Sequence, residues 1–398
     1  MVERTGIWLV GALGGLATTV VVGARAIGRG LEGGIGLTTH GDAFEGLKLA
    51  AVGDLVFGGH DVRSESPLDA ARAISSENGS IRPGLVEALA EDLEEYGARI
   101  RPGLALNGGE AIDELVEAEA CLPTAPLEDQ VGRVRADLAA FKADYALDRL
   151  IVFNLASTEP PNGNRPEHAD LAEFEAGIAD NRRDAFRASQ LYAYAAIAEG
   201  AALVNFTPSA ALVPAIEEFA ARQGLPFMGS DGKTGETLVK SALAPMFRDR
   251  ALKVMSWQGY NILGDRDGQV LASKDNLASK VTSKDRALSG ILGYPLHTHV
   301  GIDYVPSLGD MKTAWDFIHF QGFLGFPMSL QFTWQGCDAI LAAPLVIDMA
   351  RLADLAMRRG ESGPMPQLAC FFKSPHGSDE HDFHRQWASL LEYAARGA

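Results

Sequence analysis

The chain has 398 residues, beyond the ~250–300 at which one hydrophobic core usually stops growing, so two domains are expected. Hydrophobic residues make up 47% and charged residues 22%, the balance of a folded globular enzyme rather than a disordered chain. A net charge of −17 argues against nucleic acid and against an anionic membrane surface as partners, but a local lysine cluster can still hold a small phosphate.

In chain order, Gly6 to Gly11 is a buried strand pattern, and Gly11-Ala12-Leu13-Gly14-Gly15-Leu16-Ala17-Thr18-Thr19 turns into a helix running to about Ile27. Strand, glycine turn and helix form the context of a dinucleotide site, although the spacing is Gly-x-x-Gly-Gly-x-x-Thr and not Gly-x-Gly-x-x-Gly. Taken alone it also fits a plain βα turn. The same segment has the apolarity of a signal-peptide core, but Glu3 offsets Arg4 and glycines interrupt the run. No stretch of about 20 uninterrupted apolar residues exists elsewhere, and the expectation is a cytoplasmic protein.

A second strand pattern at 54–59 ends at Asp61, suited to a ribose diol or equally to a helix cap or to solvent. It comes well beyond the usual ~20 residues after the glycines, so 32–47 must be an insertion. Helical spacing covers 85–96 and 127–141. A buried strand at 150–155 leads into the polar loop Ala156-Ser157-Thr158-Glu159, at a strand C-terminus where open α/β sheets bind ligands. A helix is expected from about Asp170 to Glu199, then a strand at 202–206 and the loop Thr207-Pro208-Ser209. Cys121, Cys337 and Cys370 lack metal or Cys-x-x-Cys spacing and read as buried thiols in a reducing compartment.

The run Met228-Gly229-Ser230-Asp231-Gly232-Lys233-Thr234-Gly235-Glu236-Thr237 follows an apolar strand and precedes a helix over 237–246. A lysine on such a loop can hold a phosphate or a developing oxyanion. Lys280, Lys312 and Lys373 recur in short motifs of their own, which points to a site for an anionic substrate. From Leu252 turn signals multiply and a second region containing a sheet is expected, before an apolar helix over 338–357. His297 and His299 occupy alternate strand positions and read as strand-face histidines rather than metal ligands.

Several separated motifs together resemble the inositol-phosphate synthases. Asn205-Phe206-Thr207-Pro208-Ser209 is similar to that family's Asn-x-(Ser/Thr)-Pro loop, and Ser230 to Thr237 to its Asp-Asp-x-Lys-Ser-Gly-x-Thr loop. Tyr260 to Gly268 resembles Tyr-Asn-His-Leu-Gly-Asn-Asn-Asp-Gly. Ser279-Lys280, Gly309 to Lys312, Asp338 to Pro344 and Lys373 to Pro375 follow in the family's order. The resemblance spans essentially the whole chain. Departures include Ile262 for a histidine, Leu238 for a second lysine one helical turn past Lys233, and Asp265-Arg266-Asp267 for Asn-Asn-Asp.

The resemblance implies an α/β fold: a Rossmann-like doubly wound parallel sheet over 1–240, completed by 338–398, with an inserted α+β catalytic and tetramerisation domain over 241–337. It implies NAD-dependent, redox-neutral closure of glucose 6-phosphate to inositol 1(3)-phosphate, through C5 oxidation, enolisation, aldol closure and re-reduction. Lys233, Lys280 and Lys373 would move protons or stabilise oxyanions, helped by Lys312 and Asp310. Asn261, Leu263, Asp265, Asp267, Ser209 and Thr237 would contact substrate. Gly11, Gly14, Gly15, Leu16, Asp61, Ser157, Thr158 and Asp231 would hold NAD. A monovalent or divalent cation beside NAD stays open, with no dedicated ligand spacing in the sequence, and a homotetramer is implied. The altered 262–266 segment and Leu238 also leave room for a homologous cyclase acting on another sugar phosphate such as fructose 6-phosphate, and an NAD-dependent sugar-phosphate dehydrogenase is a further alternative.

Overall fold

All six residues of Thr5–Val10 (β1) are buried, because an apolar strand in the middle of a parallel sheet is covered on both faces. The computed structural model describes residues 3–117, 121, 124–264 and 288–396; the expected site residues Asp265, Asp267 and Lys280 lie outside the described residues. β1 is followed by α1 (Gly15–Gly28), β2 (Val56–Asp61), α2 (Pro67–Glu77), α3 (Pro83–Ala88), α4 (Ala90–Gly97), β3 (Ile100–Pro102) and α5 (Glu110–Asp113). Next come α6 (Leu127–Asp144), β4 (Arg149–Asn154), α7 (Leu171–Ala179), α8 (Ala188–Ala198), β5 (Ala202–Asn205), α9 (Pro214–Gln223) and β6 (Pro226–Gly229). Then follow α10 (Gly235–Asp249), β7 (Lys253–Leu263), β8 (His297–Tyr304), β9 (Met311–Gln321), β10 (Pro327–Cys337), α11 (Asp338–Arg358), β11 (Gly363–Pro364) and α12 (Phe383–Ala395).

The first sheet has the order β11-β6-β5-β4-β1-β2-β3, every pair parallel. This is the doubly wound order 3-2-1-4-5-6 with one short strand added at the edge. One face buries Val20 and Val21 of α1 against Met349 and Leu352 of α11. The other buries Val134 and Leu138 of α6 with Leu191 and Ile197 of α8. A separate mixed sheet has the order β10-β9-β7-β8, and α10 covers one of its faces through Phe247, Trp257 and Ile318. β10 runs directly into α11, so this sheet is anchored at both ends to the first layer. No helix among the described residues is long and apolar enough to cross a membrane.

Two expected helices are each broken in two. The 85–96 segment divides at Leu89, and 170–199 divides at 180–187, where Asn181 adopts a positive φ. Periodicity runs through both breaks because the buried face is nearly preserved across them. The insertion before β2 is real, and α11 holds it in place. Asp348 accepts hydrogen bonds from Thr38 N–H (2.7 Å), Thr39 N–H (3.0 Å) and Thr39 Oγ1, while Arg351 donates to Ala50 O (2.9 Å). Gly28 and Gly53 meet backbone to backbone, and a Cβ on Gly28 would stand 2.6 Å from Gly53 Cα.

Burial raises the Asp348 carboxyl above its usual range, against the hydrogen bonds it accepts. Asp348→Ala strands these donors and should cost about 3 kcal/mol, seen as a melting temperature several degrees lower, with activity per folded molecule retained.

Candidate active site

A cavity of about 740 Å³ lies at the C-terminal ends of β1, β2 and β4, closed on its far side by the loop between β8 and β9. This is the switch point of the doubly wound sheet, where helices leave to opposite faces and a crevice opens. Gly11 turns the chain at φ +86°, and a Cβ there would lie 2.9 Å from Ala156 Cα, so only glycine fits. Gly11 N–H and Ala12 N–H both donate to His60 O (2.9 and 3.0 Å). Leu13 N–H donates to Asp61 Oδ2 (2.7 Å), and Asp61 Oδ1 accepts Arg63 N–H (3.0 Å). Asp61 therefore fixes the glycine turn from within while also lining the cavity.

No side chain caps α1. Gly14, Gly15 and Leu16 form the cavity wall at its N-terminus, and the space a Cβ on Gly15 would take is open to 4 Å. An uncapped helix start with open space before it is a cradle for a diphosphate. Ser157 and Thr158 line the wall opposite. Behind them Glu159 accepts Ser189 N–H (3.0 Å) and Ser189 Oγ, and burial pushes its carboxyl up. Ser209 Oγ accepts Glu159 N–H (3.0 Å), so Ser209 shapes this loop from behind the cavity wall.

Two distant loops are zipped together on the third side. Lys373 N–H donates to Asp231 O (2.7 Å), Ser374 N–H to Ser230 O (3.1 Å), and Lys233 N–H to Phe371 O (2.8 Å). Lys373 Nζ pairs with Asp231 Oδ1 at 2.8 Å, and both residues line the cavity. Asp231 is 5% exposed, has φ +62°, and its Oδ2 is buried without a hydrogen-bond partner. Open glycine cradle, strand-end acid and orphaned carboxylate oxygen share one cavity, and the residues fit a dinucleotide.

Lys233 points elsewhere. It is 4% exposed and donates through Nζ to Gln386 of α12. Burial lowers it to about 8, the Lys373 charge pushes the same way, and Cys370 and Glu380 oppose. Thr237 lies on α10 outside the cavity wall. Asn261 is buried and donates to Glu236 Oε2 (2.7 Å), and Leu263 is buried at the end of β7. Lys240 pairs with Glu236 and with Asp316 (3.3 Å). Asp316 also accepts Trp257 Nε1–H (2.6 Å), and burial raises it to about 6 against the pull of Lys240. Asp310 reaches the cavity, and Lys312 pairs with the lining residue Asp338 at 2.9 Å.

Sequence reasoning placed Glu159 in a ligand-side loop and Asp338 at the head of a motif without giving either a role, and it missed Asn78 altogether. It also missed His376, which bridges Glu217 (2.7 Å) and Ser230 Oγ (3.3 Å). The bonds that bring Asn78 to Asp310 and His376 to Glu217 and Ser230 join residues remote in sequence and leave no local signal. Among the described residues no group of three or more His, Cys, Asp or Glu gathers as a metal site, and the three cysteines are free and buried.

The lowered Lys233 value has a thermodynamic consequence. Below pH 8 the ammonium is buried at a cost; between pH 8 and 10.5 only the unfolded chain binds that proton, so stability rises with pH. Measured against Lys233→Met, the wild type should gain about 3 kcal/mol over that window in denaturant titrations; a flat difference would contradict the assignment.

A family model described as myo-inositol-1-phosphate synthase, an NAD-binding family, matches residues 43–395. The chain is 34% identical to inositol-3-phosphate synthase 1 of Bacteroides thetaiotaomicron, across 98% of this chain and 94% of that protein. It is 30% identical to inositol-3-phosphate synthase 1 of Rattus norvegicus, across 83% of this chain and 61% of that protein. The crystal structure of inositol-3-phosphate synthase from Caenorhabditis elegans matches with a TM-score of 0.88 at 25% identity, covering 98% of this chain and 85% of that one.

Proposed function

The chain belongs to the myo-inositol-1-phosphate synthase family, and from that premise we propose that it cyclises glucose 6-phosphate to inositol 1(3)-phosphate with NAD and no net oxidation. The carrying observation is that one cavity joins the dinucleotide cradle at Gly11–Leu16 to the Lys373–Asp231 pair and Asp310. A dehydrogenase needs only the first; a carbon–carbon closure also needs fixed cations where oxygens become negative.

The amides of Gly15 and Leu16 would hold the diphosphate of NAD, with Gly14 N–H closing the turn onto Gly11 O (3.0 Å). Asp61 would hold a ribose, and Ser157, Thr158 and Asp231 the nicotinamide half. When bound, NAD supplies a hydride acceptor that returns the hydride at the end. Lys373, set by its 2.8 Å ion pair with Asp231, places positive charge against a developing substrate oxyanion. By resemblance Lys233 would move a proton, and its value near 8 suits that; its Nζ faces Gln386 outside the cavity wall, so contact with substrate would need the side chain to turn. Lys312 and Asp310 bring a cation and a carboxylate to the opposite wall. By family resemblance Lys280, Asp265 and Asp267 complete the set, with Asn261, Leu263, Thr237 and Ser209 around the substrate.

One observation favours a second reading. Leu238 stands where the resemblance expects a lysine, and Lys240 is committed to Glu236 and Asp316, so it does not replace that charge. A site with one cation fewer suits a homologous cyclase acting on a different sugar phosphate, such as fructose 6-phosphate.

A homotetramer is part of the proposal. Tyr260, Trp315, Phe317 and His319 stack along one side of the mixed sheet, with ring centroids 5.9, 6.5 and 6.3 Å apart. Phe323 and Leu324 at the β9–β10 turn are almost fully exposed. Apolar surface of this kind fits association with further copies of the chain.

Incubation with NAD and glucose 6-phosphate should give a cyclitol phosphate by NMR without NADH accumulating. Lys373→Ala should lower kcat by about 10²–10³ with the fold retained. Stoichiometric NADH would instead identify a dehydrogenase, and turnover confined to a ketose phosphate would favour the second reading. Trp315→Glu with Phe317→Glu should reduce the assembly mass measured by light scattering.

A further inference from the structure

Asn78 lies at the C-terminal end of α2, and its side chain serves two partners. Its Oδ1 accepts Ser80 N–H at 2.6 Å, and its Nδ2 donates to Asp310 Oδ2 at 3.0 Å. Because a backbone N–H can only donate, the amide oxygen must face Ser80 and the amide nitrogen must face the carboxylate. The second bond joins residues 232 positions apart and crosses from the parallel-sheet layer to the mixed sheet. Ala70, Ala73, Ile74 and Glu77 of the same helix form one cavity wall, and Pro306, Ser307, Gly309 and Asp310 form the wall opposite. A Cβ on Gly309 would stand 4.0 Å from Glu77 O, so the two walls meet here.

We propose that Asn78 is a positioning residue for Asp310: its amide N–H holds one carboxylate oxygen and so orients the carboxyl from the helix that borders the dinucleotide cradle. This rests on the reading above that Asp310 serves the reaction. Asp310 sits one residue before β9 begins, so its carboxyl takes part of its restraint from outside the strand ladder. A donor anchored at a helix end supplies that restraint, and misplacement of a reacting group by about 1 Å can cost about 100-fold in rate. Asn78 touches neither substrate nor cofactor in this scheme and acts only through Asp310.

Two substitutions separate positioning from turn capping. Asn78→Ala removes both bonds. Asn78→Asp keeps the oxygen that holds Ser80 N–H and sets a second carboxylate against Asp310. With the full-length protein, Asn78→Ala should lower kcat about 10-fold and Asn78→Asp about 100-fold, with the KM for glucose 6-phosphate and the Kd for NAD held within about twofold. In an Asp310→Asn background, Asn78→Asp should cost no further rate. Amide hydrogen exchange over 306–312, measured without substrate, should be faster in Asn78→Asp than in the wild type. If Asn78→Asp matches the wild type in kcat and in exchange, Asn78 is only a turn cap and the proposal is overturned. If the wild type accumulates NADH in place of a cyclitol phosphate, the reaction assignment fails while the Asn78 comparison is read on that rate and on the exchange.

Discussion

The backbone pairing of 230–233 with 371–374 is the constraint on which the rest of the site depends. It brings Lys373 to Asp231 across 142 residues and sets the edge of the parallel sheet against the start of α10. The interaction is costly in isolation: Asp231 holds a left-handed φ that a non-glycine residue seldom adopts, and a buried carboxylate must be satisfied by charge or hydrogen bonds. The Lys373 ammonium meets that need on one oxygen, while the other stays orphaned at the cavity. Strain and an unsatisfied acceptor persist where function needs them. The same pairing fixes the Lys233 backbone through its N–H to Phe371 O, and the left-handed turn at Asp231 precedes a Lys233 side chain that runs to Gln386 rather than into the cavity.

The opposite wall follows another logic. The glycine turn departs from the dinucleotide fingerprint in spacing but keeps its physical essentials: a residue at positive φ, a close approach to the neighbouring strand, and an uncapped helix start. What replaces the missing glycine is Asp61, whose Oδ2 takes Leu13 N–H. The acid at the end of β2 thus organises the glycine turn and borders the cavity at once. Capping and ribose binding, which look like competing readings in the sequence, are compatible in three dimensions, since each carboxylate oxygen has more than one lone pair.

Much of the fold was legible because buried parallel strands announce themselves as short apolar runs. Thr5–Val10, Arg149–Asn154 and Ala202–Asn205 each fall within a residue or so of where such runs predict. The edge strands β3 and β11 were not, since three and two residues carry no period. Helix breaks at Leu89 and at 180–187 escaped notice because they leave the apolar stripe intact. In the site, the glycine cradle, Asp61, Asp231, Lys373 and Asp310 were legible as residue types, and the structure brings them to one cavity. Side-chain direction was not: the outward look of Lys233 as a loop lysine, and the withdrawal of Ser209 behind Glu159, depend on hydrogen bonds between segments far apart in the chain. Asn78 had no signal at all, because an asparagine after a helix normally means only a turn.

The buried cluster under β7 ties down the one lysine of the helix on which Leu238 stands. Glu236 and Asp316 share one lysine, Lys240, so the cluster carries one more carboxyl than ammonium, and Asp316 titrates near 6. Glu236 also fixes Asn261, and Gly259 leaves the room the cluster occupies, since a Cβ there would collide with Glu236. Lys240 therefore cannot swing out to serve an anionic substrate without stranding two buried acids, a loss of several kcal/mol. The lysine displaced by Leu238 has no understudy on α10. Any charge that stands in for it must come from another element; among the described residues Arg63 and Lys373 line the cavity, and Lys312 stands behind the lining residue Asp338.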